Sequence, residues 1–291
     1  MVKFFKHYIN NIMAKITYQQ VKDKCTKGRF FSYDSIQDKI FVPPSIFLVW
    51  VFLRLGFSGN GVSVLSGLLA IIGGVLIASN EPMFIFIGSF GYMAFYLLDY
   101  VDGGVARYND KSGAGGQYMD WIMHVVSCVS IMTGLFIGAF SNTGLWLIPF
   151  GVLAVVASAL SFDRYSFAWF AICMHRQQLT SKGTADKPLK EVKNIKKKSL
   201  LFRGILKICT LIFHENYLIF SLPIVAFLNF YIFMYFDFRV VFIILGGAVY
   251  FPIMLYDIWR LASSGIIDLA YNKLFFSKEK PNLPDDHFLN F

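Results

Sequence analysis

The stretch DYVDGGVARYNDKSGAGGQYMDWIMH, residues 99–124, decides how the chain is read. It sets Asp99, Asp102 and Asp120, a group of glycines, Arg107 and a closing His124 between two long apolar runs, 83–101 and 117–140. A helix needs about 20 mainly apolar residues to cross hydrocarbon, and both runs qualify. Further runs of this kind lie at 61–79, 144–172, 216–236 and 239–261. The connections NEP and SNT are short enough to make their flanking runs antiparallel neighbours. Only 15% of the residues are charged and 56% are hydrophobic, against roughly a quarter charged in soluble domains. The ten-residue alternation of a membrane β-barrel is missing. The chain therefore reads as all-α: a polytopic integral membrane protein with six transmembrane helices.

The flanks divide the chain into 1–58, 59–262 and 263–291. Residues 1–40 mix lysines with aromatics and lack the apolar core of a signal peptide, so 1–58 reads as a cytoplasmic or interfacial arm. Its last part, FVPPSIFLVWVFLRLGF at 41–57, is apolar but short, opens on Pro43-Pro44 and carries Arg54. The expectation is an amphipathic helix lying at the interface, not a span. Residues 263–291 read as a cytoplasmic tail, and LLFRGILKICTLIF at 200–213 as a surface helix.

Charge sets the orientation. Of the 27 lysines and arginines, six spans with an inside N-terminus leave only Arg239 on the outer side. Such segregation is the positive-inside pattern, so both termini and the 102–116 loop are expected to face the cytoplasm. The net charge of +9 follows from this bias, and the KNIKKKS loop would meet anionic membrane lipids. Nucleic acid is not an expected partner, because the basic residues are membrane-tethered and no reading module accompanies them. The cysteines at 25, 128, 173 and 209 fit no zinc or redox spacing. Asp163-Arg164 and Asp257 with Arg260 read as ion pairs and His214-Glu215 as a capping or interfacial pair, with Arg164 and His214-Glu215 also open as contacts to an acceptor; LGGAVY at 245–250 reads as close helix packing.

Residues three and four apart share a helix face. Asp99, Asp102, Gly103 and Ala106 make one stripe at the inner end of the second run, and Gly116, Asp120 and His124 another at the start of the third. Facing stripes would bring three carboxylates into one cleft at the membrane surface. Acids at that depth are costly and mark function by default. Clustered carboxylate oxygens suit Mg²⁺ or Mn²⁺, and Arg107 stands where an anionic phosphate would need neutralising.

Asp99-x2-Asp102-Gly103-x2-Ala106-Arg107-x8-Gly116-x3-Asp120-x3-His124 resembles the signature of the CDP-alcohol phosphotransferase family, D-x2-D-G-x2-A-R-x8-G-x3-D-x3-D. Only the last place differs, His124 standing for Asp. Upstream, Asn60 and Ser63 hold the Asn and Thr places of the family's PNxxT segment, with Gly59 for its Pro. The resemblance spans about residues 41–261. It implies a metal-dependent transferase in 59–262 that moves a substituted phosphate from a CDP-linked alcohol to an acceptor alcohol and releases CMP. It implies Asp99, Asp102 and Asp120 as ligands of Mg²⁺ or Mn²⁺. Gly103, Ala106, Arg107, Gly116, Asn60 and Ser63 would line the nucleotide site. The family's fourth carboxylate ligates a metal and is its presumed base, which makes His124, with Asp120, the catalytic pair here; imidazole can serve as a base. A homodimer in a bacterial cell membrane is also implied.

Other readings make different demands. An aromatic prenyltransferase would need two separated Asp-rich motifs and more spans. A carrier using intramembrane acids would spread them along a pathway. A non-catalytic or weakened member acting as a scaffold is suggested by His124 alone.

Overall fold

The computed structural model describes residues 16–27, 36–182, 215–231 and 237–276, with the isolated positions 188 and 204. Among them all regular structure is helical. The elements are α1 (Tyr18–Lys27), α2 (Ile36–Arg54), α3 (Gly59–Ile77), α4 (Pro82–Tyr108) and α5 (Ala114–Thr143), then a 3-10 turn (Leu145–Leu147), α6 (Ile148–Ser181), α7 (Glu215–Tyr231), α8 (Phe238–Ser263) and α9 (Ile266–Phe276). Helices α3, α4, α5 and α8 are long and apolar enough to cross a membrane. The remaining expected spans overlap α6 and α7, where Leu145–Leu160 and Leu218–Asn229 are apolar among the described residues. KNIKKKS, His214 and the side chains of Asp163, Arg164 and Glu215 lie outside the described residues, as does the 200–213 segment apart from Gly204.

Helix α3 shows why this is a membrane fold. Between Val62 and Ile77, buried at its two ends, its inward face is small or polar: Ser63, Ser66, Gly67, Ala70, Gly73 and Gly74 are buried. Its outward face is large and apolar, with Val64, Leu68, Ile71, Ile72 and Val75 exposed. A helix of a water-soluble protein has the reverse arrangement. Small residues let backbones approach where no hydrophobic force between helices exists. A Cβ on Gly73 would lie 2.9 Å from the Gly88 carbonyl oxygen and 2.9 Å from Gly91 Cα, both on α4. On the neighbouring side, a Cβ on Gly74 would meet the Ser130 carbonyl of α5, and one on Gly134 the Gly74 carbonyl.

Helix α3 is thus the spine of the bundle, with α4 and α5 packed on its two sides and only lightly on each other. Helix α6 packs on α5, and α8 lies against α5 and α6. The LGGAVY run forms a π-helical turn within α8, where a Cβ on Gly247 would sit 2.7 Å from Phe150 Cα. Close packing is what the sequence suggested there.

At one end of the bundle Arg239, 2% exposed, joins three helix ends. Its Nη1 donates to the Ile77 and Ser79 carbonyls at 2.9 and 2.6 Å, satisfying the C-terminus of α3. Its Nε and Nη2 donate to Asp237 at 2.8 and 2.7 Å, and Asn142 Nδ2 donates to the same carboxylate at 2.9 Å. Gly138 of α5 leaves the notch that the guanidinium fills. The lone cation on the expected outer side is therefore internal. Burial raises the Asp237 pKa, but the hydrogen bonds from Arg239 and Asn142 outweigh it and hold the carboxyl below its ordinary range.

The flanks differ from expectation. Helix α2 begins at Ile36, so Pro43 and Pro44 lie inside it. The helix survives two missing N–H donors because its inward face, Val42, Ile46, Val49 and Leu53, is fully packed. Ser45 Oγ also donates to the Val42 carbonyl at 2.8 Å. Beyond Lys39, the outward side presents Ile40, Pro43, Pro44 and Phe47, so it lacks the polar face that defines an amphipathic helix. Helix α1 packs on α2, and Lys24 Nζ donates to the Tyr108 carbonyl at the end of α4 at 2.6 Å. The 263–291 segment opens with α9, which packs on α6: Tyr271 lies edge-on to His175 and receives a hydrogen bond from Arg176 Nη1 at 3.3 Å. Arg260 Nε donates to Asp257 Oδ1 at 3.2 Å, the one-turn pair expected from sequence.

Candidate metal centre

Helix α4 does not stop where its apolar run ends. It continues through the polar motif to Tyr108, since Val101, Val105 and Ala106 sustain the helix and Val101 and Val105 are buried. It then closes in a Schellman motif: Asp110 adopts φ +54°, its N–H donates to the Arg107 carbonyl at 3.1 Å, and Lys111 N–H to the Ala106 carbonyl at 2.9 Å. This reversal, with extended Gly113 after it, delivers the start of α5 beside the end of α4.

The aspartates of α4 then part company. Three residues on a 3.6-residue helix leave them about 60° apart. Asp99 faces α5, where its Oδ1 lies 3.0 Å from His124 Nε2. The same imidazole nitrogen is 3.6 Å from Asp120 Oδ1, one turn back on α5. The donor atoms of Asp99, Asp120 and His124 all fall within 4.8 Å of one another. The His124 ring stands edge-on to Phe95 at 5.1 Å, one turn above Asp99. Exposure grades across the group: the His124 side chain is 8% exposed, Asp99 24% and Asp120 37%.

Asp102 faces α3 instead. Ser63 Oγ donates to its Oδ2 at 2.5 Å, and the residue is buried. The helices are close there because Gly59 has no side chain: a Cβ would sit 2.9 Å from Ala106 Cβ and 2.9 Å from the Asp102 carbonyl oxygen. Asn60, one residue on, faces Gly116 of α5, whose Cβ would lie 3.7 Å from Asn60 Oδ1. Arg107 folds back over Gly103, with both terminal nitrogens 2.9 Å from where a Cβ would be.

The residues singled out in the sequence thus gather at one end of three helices, in two groups. Asp99, Asp120 and His124 form the first, and Asp102 with Ser63 the second. Phe95, the edge against which His124 rests, carries no polar signal and was missed. So was Asp38 of α2, which accepts a hydrogen bond from Tyr100 Oη at 2.6 Å; it belongs to no motif.

Two carboxylates at such distances repel by about 4 kcal/mol at an effective dielectric of 20, so a cation between them is favoured. Adjacent donors on an octahedral ion with bonds of about 2.1 Å are about 3.0 Å apart. The 3.0 and 3.6 Å separations here are close to that edge. The residues fit a divalent ion. No protein-family model matches the chain, and no curated protein matches it significantly.

Proposed function

We propose that the chain is a membrane phosphotransferase that moves a substituted phosphate from a CDP-linked alcohol to the hydroxyl of an acceptor alcohol, releasing CMP. The observation that carries this is the convergence of Asp99, Asp102, Asp120 and His124 with Asn60, Arg107 and Gly116 at one end of α3, α4 and α5. An acidic group able to hold a divalent ion beside a guanidinium and side-chain-free backbone suits a pyrophosphate.

Asp99, Asp102 and Asp120 would hold Mg²⁺ or Mn²⁺, which when bound polarises phosphoryl oxygens and stabilises a leaving phosphate. Gly116 leaves space at the backbone for the nucleotide, and Gly103 makes room for the Arg107 guanidinium that would meet its phosphates, with Ala106 beside them. Asn60 and Ser63 lie along its edge, and Arg107 neutralises phosphate charge. The acceptor oxygen attacks the β-phosphorus, the bond from that phosphorus to the CMP oxygen breaks, and the acceptor proton passes to Asp120, the more exposed of the Asp120–His124 pair. Protein catalysis of such a transfer is mainly positioning and neutralisation. In this reading α6 and α7 complete six spans, α2 packs at their edge, and the motif faces the cytoplasm, because the cations other than Arg239 then share one side. The family resemblance also implies a homodimer.

The test is CMP release from a panel of CDP-alcohols and acceptors with Mg²⁺ or Mn²⁺, using protein in nanodiscs. Asp99→Asn should abolish turnover, and His124→Ala should lose most of it while cytidine nucleotide still binds. Protein indifferent to cytidine nucleotides with either metal refutes the proposal. His124 favours one alternative, a non-catalytic scaffold, for which nucleotide binding without CMP release would be the mark.

A further inference from the structure

The geometry points to His124 as a metal ligand and not the base, making a two-carboxylate, one-imidazole centre that prefers a first-row transition ion to Mg²⁺. This rests on the phosphotransferase reading for the use of the site, but the donor set stands on its own distances. His124 Nε2 is directed at Asp99 Oδ1 and Asp120 Oδ1, 3.0 and 3.6 Å away. A base must meet the incoming hydroxyl, yet the His124 side chain is 8% exposed and rests its ring on Phe95. Asp120, at 37%, is the most open of the three and the better placed to receive a proton. Ser63 meanwhile holds Asp102, drawing that carboxylate toward α3. The group whose donors converge is therefore Asp99, Asp120 and His124.

The consequence is selectivity. Mg²⁺ prefers oxygen donors and keeps its waters, whereas imidazole suits the borderline transition ions. Exchanging a fourth carboxylate for imidazole also removes one negative charge, which weakens a purely electrostatic hold on Mg²⁺ more than a bond with covalent character. Mn²⁺ and Co²⁺ should thus outcompete Mg²⁺ here.

The test needs no turnover. Mn²⁺ is bound to the nucleotide-free, full-length protein carrying ¹⁵N-histidine, and hyperfine spectroscopy reads whether a histidine nitrogen coordinates it. The expected result is a ¹⁵N coupling that vanishes in both His124→Asp and His124→Asn. The Mg²⁺ concentration that displaces Mn²⁺ should fall about tenfold in His124→Asp. Bound Mn²⁺ without ¹⁵N coupling, a coupling that survives both variants, or no Mn²⁺ or Co²⁺ binding overturns the inference. The wild-type spectrum decides even if a variant fails to fold. Cytidine nucleotide binding on the same samples separates the two ideas. Nucleotide binding that depends on Mg²⁺, without nitrogen coupling, spares the phosphotransferase reading and sinks this one. Nitrogen coupling in protein that ignores cytidine nucleotides does the opposite.

Discussion

Gly59→Ala tests whether the candidate site depends on the close approach of α3 to α4. The new Cβ would stand 2.9 Å from both Ala106 Cβ and the Asp102 carbonyl oxygen, against the 3.4–4 Å of ordinary contact. Neither obstacle is the flexible end of a long side chain. The helices must separate by about 0.5–1 Å, an overpacking strain of about 1–3 kcal/mol. Ser63 lies one turn along α3, so the same movement stretches its 2.5 Å hydrogen bond to Asp102 toward the O–H···O limit of about 3.0 Å. Misplacement on the order of 1 Å at a catalytic group can cost about a hundredfold. The variant should therefore unfold at lower temperature and lose CMP release by about ten- to a hundredfold. Gly115→Ala is the control: nothing lies within 4 Å of its Cβ position, and it sits in the first turn of α5. It should be neutral or gain up to about 1 kcal/mol from helix propensity. If Gly59→Ala matches wild type in unfolding temperature and ion binding, the contact is not tight and the reasoning fails.

Arg239→Ala would leave the carbonyls of Ile77 and Ser79 without their guanidinium donor and Asp237 without its cation, with only the Asn142 amide and the backbone N–H of residue 239 still donating to that carboxylate. Removing one partner of a buried pair costs about 3–5 kcal/mol, which thermal unfolding in detergent would register; a shift below about 1 kcal/mol would show the network to be incidental. Because the Asp237 carboxyl is held below its ordinary value of 3.8, its contribution is whole above that pH and disappears as pH falls through the lowered value. Wild type should lose more stability on acidification than Asp237→Asn, and parallel pH profiles would contradict this. Lys24→Met should change global stability by under about 1 kcal/mol, since the lysine is partly exposed. It should nonetheless speed amide hydrogen exchange in α1, whose link to Tyr108 it removes; unchanged exchange would mean that packing on α2 alone holds α1.

Long apolar runs were the most legible part of the chain. The run at 61–79 became Gly59–Ile77 and that at 239–261 became Phe238–Ser263. The run at 83–101 ended late, at Tyr108, because the buried faces of Val101 and Val105 carry the helix on through residues that are both polar and poor in helix propensity. The motif spacing placed His124 and Asp120 one turn apart and opposite Asp99, which the structure bears out. It could not divide Asp102 from Asp99. That depends on α3 standing between α4 and α5, and on the glycines at 73 and 74 that admit it. Nor could it foresee α2 running through two prolines, since propensity argues against them and only the packed face of Val42, Ile46 and Val49 overrides it. Helix α9 was hidden for a similar reason: its partners, His175 and Arg176, lie about a hundred residues earlier.

The guanidinium that closes the far end of the bundle also constrains the order in which a ribosome can complete it. Helices α3 to α6 are synthesised well before Arg239 emerges, yet the Ile77 and Ser79 carbonyls and the hollow beside Gly138 wait for that side chain. A nascent chain halted before residue 237 can insert its early helices and still have an unlatched rim. Quality-control factors that patrol the bilayer for such polar gaps would therefore recognise unfinished chains at this rim, and release them once the last long helix has arrived.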